Sequence, residues 1–376
     1  MAIVGAGPAG AMSACLLAGR GYRVVLIDHA QFPRDKVCGC CVNGAAAGAL
    51  AAAGLGGLLP SLGAVALRRQ RLAGGGAQAQ WPLRANWVLS RRALDAGLVA
   101  AAVERGAAFL PGTSARLREG ADPGQATRTL FLQQAGRTVA LMSRLVLACD
   151  GVGGHLMDAE PGARWWIGRS SRLGAGVILA AGPADYPAGV VHMAVGREGY
   201  VGLVRLEDQR LNIAAALDPA ACRACGGPGP LAQRILVETG LPALPALAGA
   251  AWSGTALLTR RRRRLGGHRV FALGDACRYV EPFTGEGIAW AIGAALLAQG
   301  LVAAALTRWE PQLIAQWTRR YERAFFWRRT SCVALARLLR YPPTTTGLCR
   351  LLQCFPRVSA PVLGMLNRPL RGGAPG

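Results

Sequence analysis

The chain has 376 residues, 52% of them hydrophobic, and a formal charge of +23 at pH 7; that length and apolar content exclude a disordered chain and predict one large or two intimate domains with a buried core. Almost all of the positive charge is arginine, Lys36 being the single lysine, and no nucleic-acid reader module accompanies it, so no nucleic acid is expected as a partner. A basic face for an acidic carrier protein or a membrane surface remains in play, while the 11 irregularly spaced cysteines point to a reducing cytoplasm and not to a disulfide framework.

In chain order, residues 2–28 read as a βαβ unit. AIV is the first strand, GAGPAG a glycine turn, residues 11–20 the helix and YRVVLID the second strand, ending on Asp28. No charged and apolar leader precedes the turn, so no signal peptide is expected; the first strand is short, as a clipped start would leave it. Residues 32–53 read as a loop and then an alanine-rich helix. Two short strands, 66–72 and 77–81, are expected to cross to a second sheet. Ser90 N-caps a helix running to Gly106, AAFL follows as a strand, and TLFLQQ and VALMSRLVLA, within residues 129–148, read as a hairpin-like pair.

Between residues 161 and 258 the pattern turns to strands. VVHMAV, YVGLVRL and LNIAAAL, joined by tight turns, predict an antiparallel sheet, and a helix is expected near 230–239. RVFAL, 269–273, is a short buried strand. Residues 287–306 carry no charge and are long enough to cross a membrane, but their Ala/Gly composition favours a buried helix. From Arg308 the chain is helical and basic, interrupted by YPPTTTG and FPRVSAP.

Two motifs carry chemistry. Gly5-Ala-Gly7-Pro8-Ala9-Gly10 is a GxGxxG turn between a strand and a helix, where glycines admit a pyrophosphate to backbone amides at a helix N-terminus. Asp28, 18 positions past Gly10, ends the next strand, where a carboxylate accepts hydrogen bonds from ribose hydroxyls. Together they predict a dinucleotide. The second motif, GDACRYVEPFTGEG, runs from Gly274 to Gly287: Asp275 can meet a polyol chain, and Pro282, Gly285 and Gly287 leave room for a flat ring before the next helix. An NAD enzyme needs no such second element.

At these residues the sequence resembles the superfamily of FAD-dependent aromatic hydroxylases, flavin halogenases and geranylgeranyl reductases, with the motifs in the same order. The resemblance implies that Asp275, after Gly274, binds the ribityl chain of FAD; that Asp150-Gly151 belongs with pyrophosphate and NAD(P)H; and that Arg91, in RRALD, approaches the flavin. FPRDKVCG resembles the cofactor loop of the geranylgeranyl reductase-like and tailoring branch. It implies Arg34 against the cofactor and Cys38-Gly39 beside the flavin, although charge in a turn usually faces water, and a solvated loop is the alternative for Arg34 and Lys36. The cysteine trio Cys38, Cys40 and Cys41 is otherwise incidental.

The implied fold class is α/β with α+β elements: a Rossmann-type FAD-binding domain, an antiparallel-sheet substrate domain and a helical C-terminal extension. Residues 1–65, 89–160 and 259–307 are assigned to the FAD-binding domain, 66–88 to strands crossing to the substrate sheet, 161–258 to the substrate domain and 308–376 to the extension.

Departures from the family pattern bear on the reaction. Of the reductase element YxWxFP, Tyr200 is kept, but Gly202, Val204 and Arg205 replace Trp, Phe and Pro, which predicts a differently shaped pocket. The halogenase element WxWxIP is absent. The four histidines, His29, His155, His192 and His268, are isolated and Cys222-Arg-Ala-Cys225 is a single CxxC in an expected surface turn, so no metal is predicted. Arg260 to Arg264 reads as a solvated loop, with an anion-docking patch as the alternative. YERAFFWRRTSCVALARLLRY has the form of a basic amphipathic helix, packing on the flavin domain or touching a membrane surface.

The resulting expectation is a cytoplasmic, membrane-peripheral at most, FAD-dependent and NAD(P)H-consuming oxidoreductase. A monooxygenase-type tailoring enzyme acting with O2 on a hydrophobic aromatic or polyketide-like substrate, free or carrier-bound, is favoured. The alternatives are a geranylgeranyl reductase-like C=C reductase of a prenyl or lipid substrate, and an inactive basic scaffold. Tyr200 and Glu286 are the candidate catalytic side chains, although a glutamate at a helix N-terminus is also an ordinary dipole partner.

Overall fold

Three-residue strands suffice for the first sheet because they are buried in one core with helices Pro8–Ala18, Arg91–Glu104 and Gly287–Thr307 and with Leu117 and Leu130 of a separate three-stranded antiparallel sheet. Ala2–Val4, Val25–Ile27, Val146–Ala148 and Val270–Ala272 are apolar throughout. The six strands follow the order Gly266–Gly267, Val270–Ala272, Val146–Ala148, Ala2–Val4, Val25–Ile27, Ala108–Leu110, and every pair except the first is parallel. The computed structural model in which this is seen describes residues 1–120, 122–281, 283–355, 364 and 367. Helix Pro8–Ala18 lies against helices Arg91–Glu104 and Gly287–Thr307. The last is long and apolar enough to cross a membrane, but 72% of that stretch is buried inside the protein, as its Ala/Gly composition implied.

The second sheet has eight strands, in the order Ser253–Leu257, Leu173–Leu179, Leu211–Leu217, Gly199–Arg205, Val190–Gly196, Val65–Gly74, Ala77–Val88, Cys41–Val42. Its centre is the antiparallel meander read from the sequence. The two crossing strands are longer than expected, 10 and 12 residues: a register shift between Leu67 and Arg69 breaks the alternation that marks a strand. Because Cys41–Val42 pairs with Val88 and Trp87, the loop after Asp28 ends in the substrate sheet.

Three local expectations are corrected. VALMSRLVLA is not one strand: Arg137–Ser143 pairs with Arg128–Gln134, and Val146–Ala148 crosses into the parallel sheet. The arginine run is not a solvated loop, since Arg260–Arg262 is the middle strand of a three-stranded sheet. There the Arg262 guanidinium lies 4.1 Å from the Trp165 ring centroid and donates to Gly154 O at 2.9 Å and Asp158 Oδ1 at 2.6 Å. Cys222 lies in helix Pro219–Ala224, capped by Asp218, and is buried, so CxxC is not a surface turn. The first proline break falls between helices Gln312–Leu338 and Pro342–Cys354, where Pro342 starts the second helix; FPRVSAP lies, beyond Phe355, outside the described residues.

Candidate active site

The glycine turn is built from contacts that no side chain could share. Gly5 has φ +100°, and a Cβ there would lie 2.2 Å from the carbonyl oxygen of Cys149; one on Gly10 would lie 1.8 Å from the carbonyl oxygen of Gly5. At Gly7 a Cβ would meet nothing nearer than Arg91 Nη2 at 3.6 Å. Pro8 and Ala9 begin the helix, so its N-terminal amides face the opening of the turn. Asp28 is fixed at the end of its strand. Its Oδ2 accepts from Ala6 N at 2.7 Å and its Oδ1 from Ala30 N at 2.9 Å.

Two cavities flank this turn. One, of about 700 Å³, runs past Gly5, Asp28, Arg34, Thr113, Asp150 and Leu156. The other, of about 390 Å³, lies between Cys38, Gly39, Asp275 and Gly285 on one side and the substrate sheet on the other. Gly7, Lys36 and Cys149 line both, making a continuous trough.

Charged groups cluster where the cavities meet. Arg91 donates to both carboxylate oxygens of Asp95, at 2.9 and 2.7 Å. Arg34 reaches the same carboxylate, with Nη1 3.2 Å from Asp95 Oδ2, and its Nη2 lies 3.5 Å from Asp28 Oδ2. With a side chain 14% exposed, Arg34 does not have the solvated position that loop charge usually takes. Lys36 is exposed toward the trough, its Nζ 3.2 Å from where a Cβ on Gly151 would stand.

These surroundings lower one group, Cys38, and raise three, Cys41, Asp275 and Asp150. A hydrogen bond from the Cys40 side chain, with Arg91 and the Cys40 N–H at 3.3 Å, outweighs burial and holds the Cys38 thiol down to about 5. Burial and the charge of Cys38 push Cys41 up to about 12. Asp275 is raised to about 6 by burial, against the pull of Lys36 and Arg91. Asp150 is also raised by burial; its Oδ2 accepts from Leu156 N at 2.8 Å, and its Oδ1 has no partner among the described residues. Gly151, beside it, has φ +80°.

At the far end of the trough Gly274 and Gly285 adopt φ +61° and +68°, and Gly287 opens the long helix with nothing near its Cβ position. Pro282 lies outside the described residues. Glu286 turns away from the cavity that its neighbours line. Its Oε1 takes Arg328 Nη1 at 2.6 Å and its Oε2 the Trp290 indole N–H at 2.9 Å, at 1% exposure. The geometry thus gives Glu286 a place in helix packing, correcting the expectation that it faces the reaction.

Tyr200 does line the cavity. Its ring packs edge-on against Phe283 at 5.2 Å, and its hydroxyl has no partner among the described residues. Gly202 and Val204 line the same wall. A Cβ on Gly202 would lie 3.0 Å from Met193 Sδ, so methionine occupies space beside the position where the reductase pattern carries tryptophan. Arg205 leaves the cavity, donating to Tyr186 O at 2.9 Å.

Sequence reading missed two residues. Trp81 lines the cavity with an indole N–H that is unpartnered among the described residues; its alternation within Ala77–Val88 was the available signal. Asn212 donates from Nδ2 to Cys38 O at 2.9 Å, and nothing in sequence marks that pairing. No cluster of three metal-ligating side chains occurs among the described residues.

The arrangement fits FAD. Gly7 and the amides of helix Pro8–Ala18 suit its pyrophosphate, Asp28 its adenosine ribose, Asp275 its polyol chain, and the Cys38–Gly39 and Gly285–Gly287 backbones a flat ring. The orphaned Asp150 Oδ1 stands beside the same trough.

Comparison with known proteins agrees. Residues 1–178 match the FAD binding domain family. The chain is 30% identical over 377 positions to the menaquinone reductase of Mycobacterium tuberculosis, covering 91% of this chain and 85% of that one. A 37-residue stretch, 10% of this chain and 9% of the relative, is 60% identical to the menaquinone reductase of Mycolicibacterium smegmatis. The p-nitrophenol 4-monooxygenase of Pseudomonas putida superposes with a TM-score of 0.74 at 15% identity over 98% of both chains. A flavin-dependent brominase does so with a TM-score of 0.77 at 16% identity, over 97% of this chain and 92% of its own. At those identities the structural likeness concerns the fold alone.

Proposed function

The chain belongs to the FAD-dependent oxidoreductase superfamily, in one family with the mycobacterial menaquinone reductases, and from that premise we propose that it is a reductase acting on a C=C bond of a hydrophobic, prenylated quinone-type lipid. The observation that carries this reading is the 30% identity extending over 91% of the chain. The sequence alone favours a monooxygenase, but the likeness to monooxygenases and halogenases stands at 15–16% identity and speaks for fold, not reaction.

FAD bound in the trough supplies two-electron redox chemistry, with NAD(P)H as the reductant. The chain's own residues bind and orient. Asp28 and the glycine turn hold the nucleotide end; Asp275, Arg91 and the Cys38 loop hold the ring end. The cavity beyond is lined by Leu67, Leu72, Val191, Met193, Leu258 and Leu335 among others, a wall suited to an isoprenoid chain and to the exclusion of water. Tyr200 and Trp81 each offer one donor within that wall to a polar head group.

Purified protein reconstituted with FAD should show flavin absorbance and oxidise NADPH in the presence of menaquinone under argon. Protein that takes up no FAD would remove the enzymatic reading, and turnover that requires oxygen would restore the monooxygenase.

A further inference from the structure

The two C-terminal helices each have one side on the substrate cavity and another in solvent. Leu335 of Gln312–Leu338 and Leu348 and Leu352 of Pro342–Cys354 line the cavity. On the outer side of the same helices Trp327 is 74% exposed and Leu338 56%, and Tyr341 and Phe355 at the helix ends are 62% and 61% exposed. At about 100° per residue, Arg323, Trp327 and Leu338 fall in one stripe. Phe326, 50% exposed, packs edge-on against Trp327 with ring centroids 5.3 Å apart, and an exposed aromatic pair of this kind, with Leu338 further along the helix, marks an interaction surface.

Its charge identifies the partner. Residues 312–355 contain eight arginines and one acidic residue, Glu322; Arg328, Arg329 and Arg340 are paired with Glu286, Glu322 and Glu281, which leaves Arg319, Arg323, Arg337 and Arg350 exposed with no exposed carboxylate among them. A second copy of the chain would set arginine against arginine across this face, which is unfavourable. Exposed Trp and Tyr bordered by arginine suit the interface of an anionic bilayer, where indole and phenol sit at headgroup level and each cation gains from the surface potential.

We propose that this face docks on an anionic lipid bilayer and that the lipid substrate passes into the cavity between the two helices. The proposal deepens the lipid-reductase reading and rests on it for the substrate, but the docking can be measured separately. One helix layer then separates the bilayer from the cavity wall formed by Leu335, Leu348 and Leu352, so a prenyl chain need not cross water.

The test is flotation of the FAD-reconstituted full chain with phosphatidylglycerol–phosphatidylcholine vesicles and with phosphatidylcholine alone, at low and high salt. Binding is expected on the anionic vesicles and is weakened by salt. It should fall about tenfold or more when Trp327→Ser is combined with Leu338→Ser, with the flavin spectrum and turnover of detergent-solubilised menaquinone unchanged. Arg323→Gln with Arg337→Gln should reduce binding to anionic vesicles and leave binding to phosphatidylcholine unaltered. No binding to anionic vesicles, binding indifferent to these substitutions, or a vesicle-free dimer that the same substitutions disperse would each overturn the proposal. Flotation without lipid reduction would leave the docking and sink the substrate; reduction without flotation would do the reverse.

Discussion

The side-chain amide of Asn212, in the substrate sheet, donates to the backbone carbonyl of Cys38 at 2.9 Å, across 174 positions of sequence. This bond fixes the cofactor loop against the wall that faces the substrate. Asn212→Ala leaves that carbonyl unsatisfied in a half-buried loop, at a cost of about 1–3 kcal/mol. A lowered melting temperature and several-fold weaker FAD retention are expected, read by thermal unfolding and by flavin released on gel filtration. Unchanged values would show that the loop is held by other contacts.

Gly10→Ala should abolish FAD binding, because the methyl group would overlap the carbonyl oxygen of Gly5 at 1.8 Å and the turn must open. Asp28→Ala is expected to act differently, weakening FAD about tenfold or more through lost ribose hydrogen bonds while the chain stays folded. Titration of apoprotein with FAD, followed by flavin fluorescence, distinguishes the two.

Cys38 should react with iodoacetamide well below the pH at which ordinary thiols do, with a midpoint near its value of about 5, whereas Cys41, pushed up to about 12, should stay unlabelled. The depressed value also ties the thiolate to stability. Its contribution is full above the ordinary thiol value of 9.0, declines as pH falls and is gone below about 5. Peptide mapping of the labelled apoprotein reads the reactivity, and Arg91→Met should move the midpoint upward. Cys38→Ser should change turnover more than Cys40→Ser or Cys41→Ser.

Asp275 shows the opposite linkage. Its raised value, about 6 against an ordinary 3.8, means that ionisation costs the apoprotein stability, a cost absent below 3.8, growing through the window to about 6 and complete above it. Asp275→Asn should therefore raise the melting temperature of apoprotein at about neutral pH, with no gain at the acid end of that window, and should weaken FAD binding. An equal gain at both pH values would show that it does not come from Asp275 ionisation.

Glu286→Gln should cost about 3–5 kcal/mol of stability, since a buried carboxylate paired with Arg328 is removed, and should leave kcat per folded enzyme within about twofold, as a group without contact to the reacting atoms does. A loss of kcat with stability intact would return Glu286 to the chemistry.

What the sequence made readable was local. The GxGxxG turn, Ser90 as a helix cap accepting from Ala93 N at 3.1 Å and the 190–217 meander each follow from backbone rules acting over a few residues. What it hid was set by distant partners. Ser90 is also held by Glu207, which accepts from its N–H at 2.9 Å and its hydroxyl at 2.6 Å. Arg260 and Arg262 are buried because Trp165 stacks on both from another strand and Asp158 reaches Arg262 from a short 3-10 helix. Glu286 carries a motif position whose side chain is claimed by Arg328, 42 positions on. Charge and motif membership predict exposure and role only until tertiary partners compete for the same atoms.

Reduction and oxygenation are separated by the mass of the product formed from menaquinone, NADPH and the FAD-loaded enzyme under argon. A reductase gives a product heavier by about two hydrogens, formed equally well in air, since its chemistry takes two electrons and two protons and no oxygen. A product heavier by one oxygen atom, formed only in air, would contradict the reductase reading.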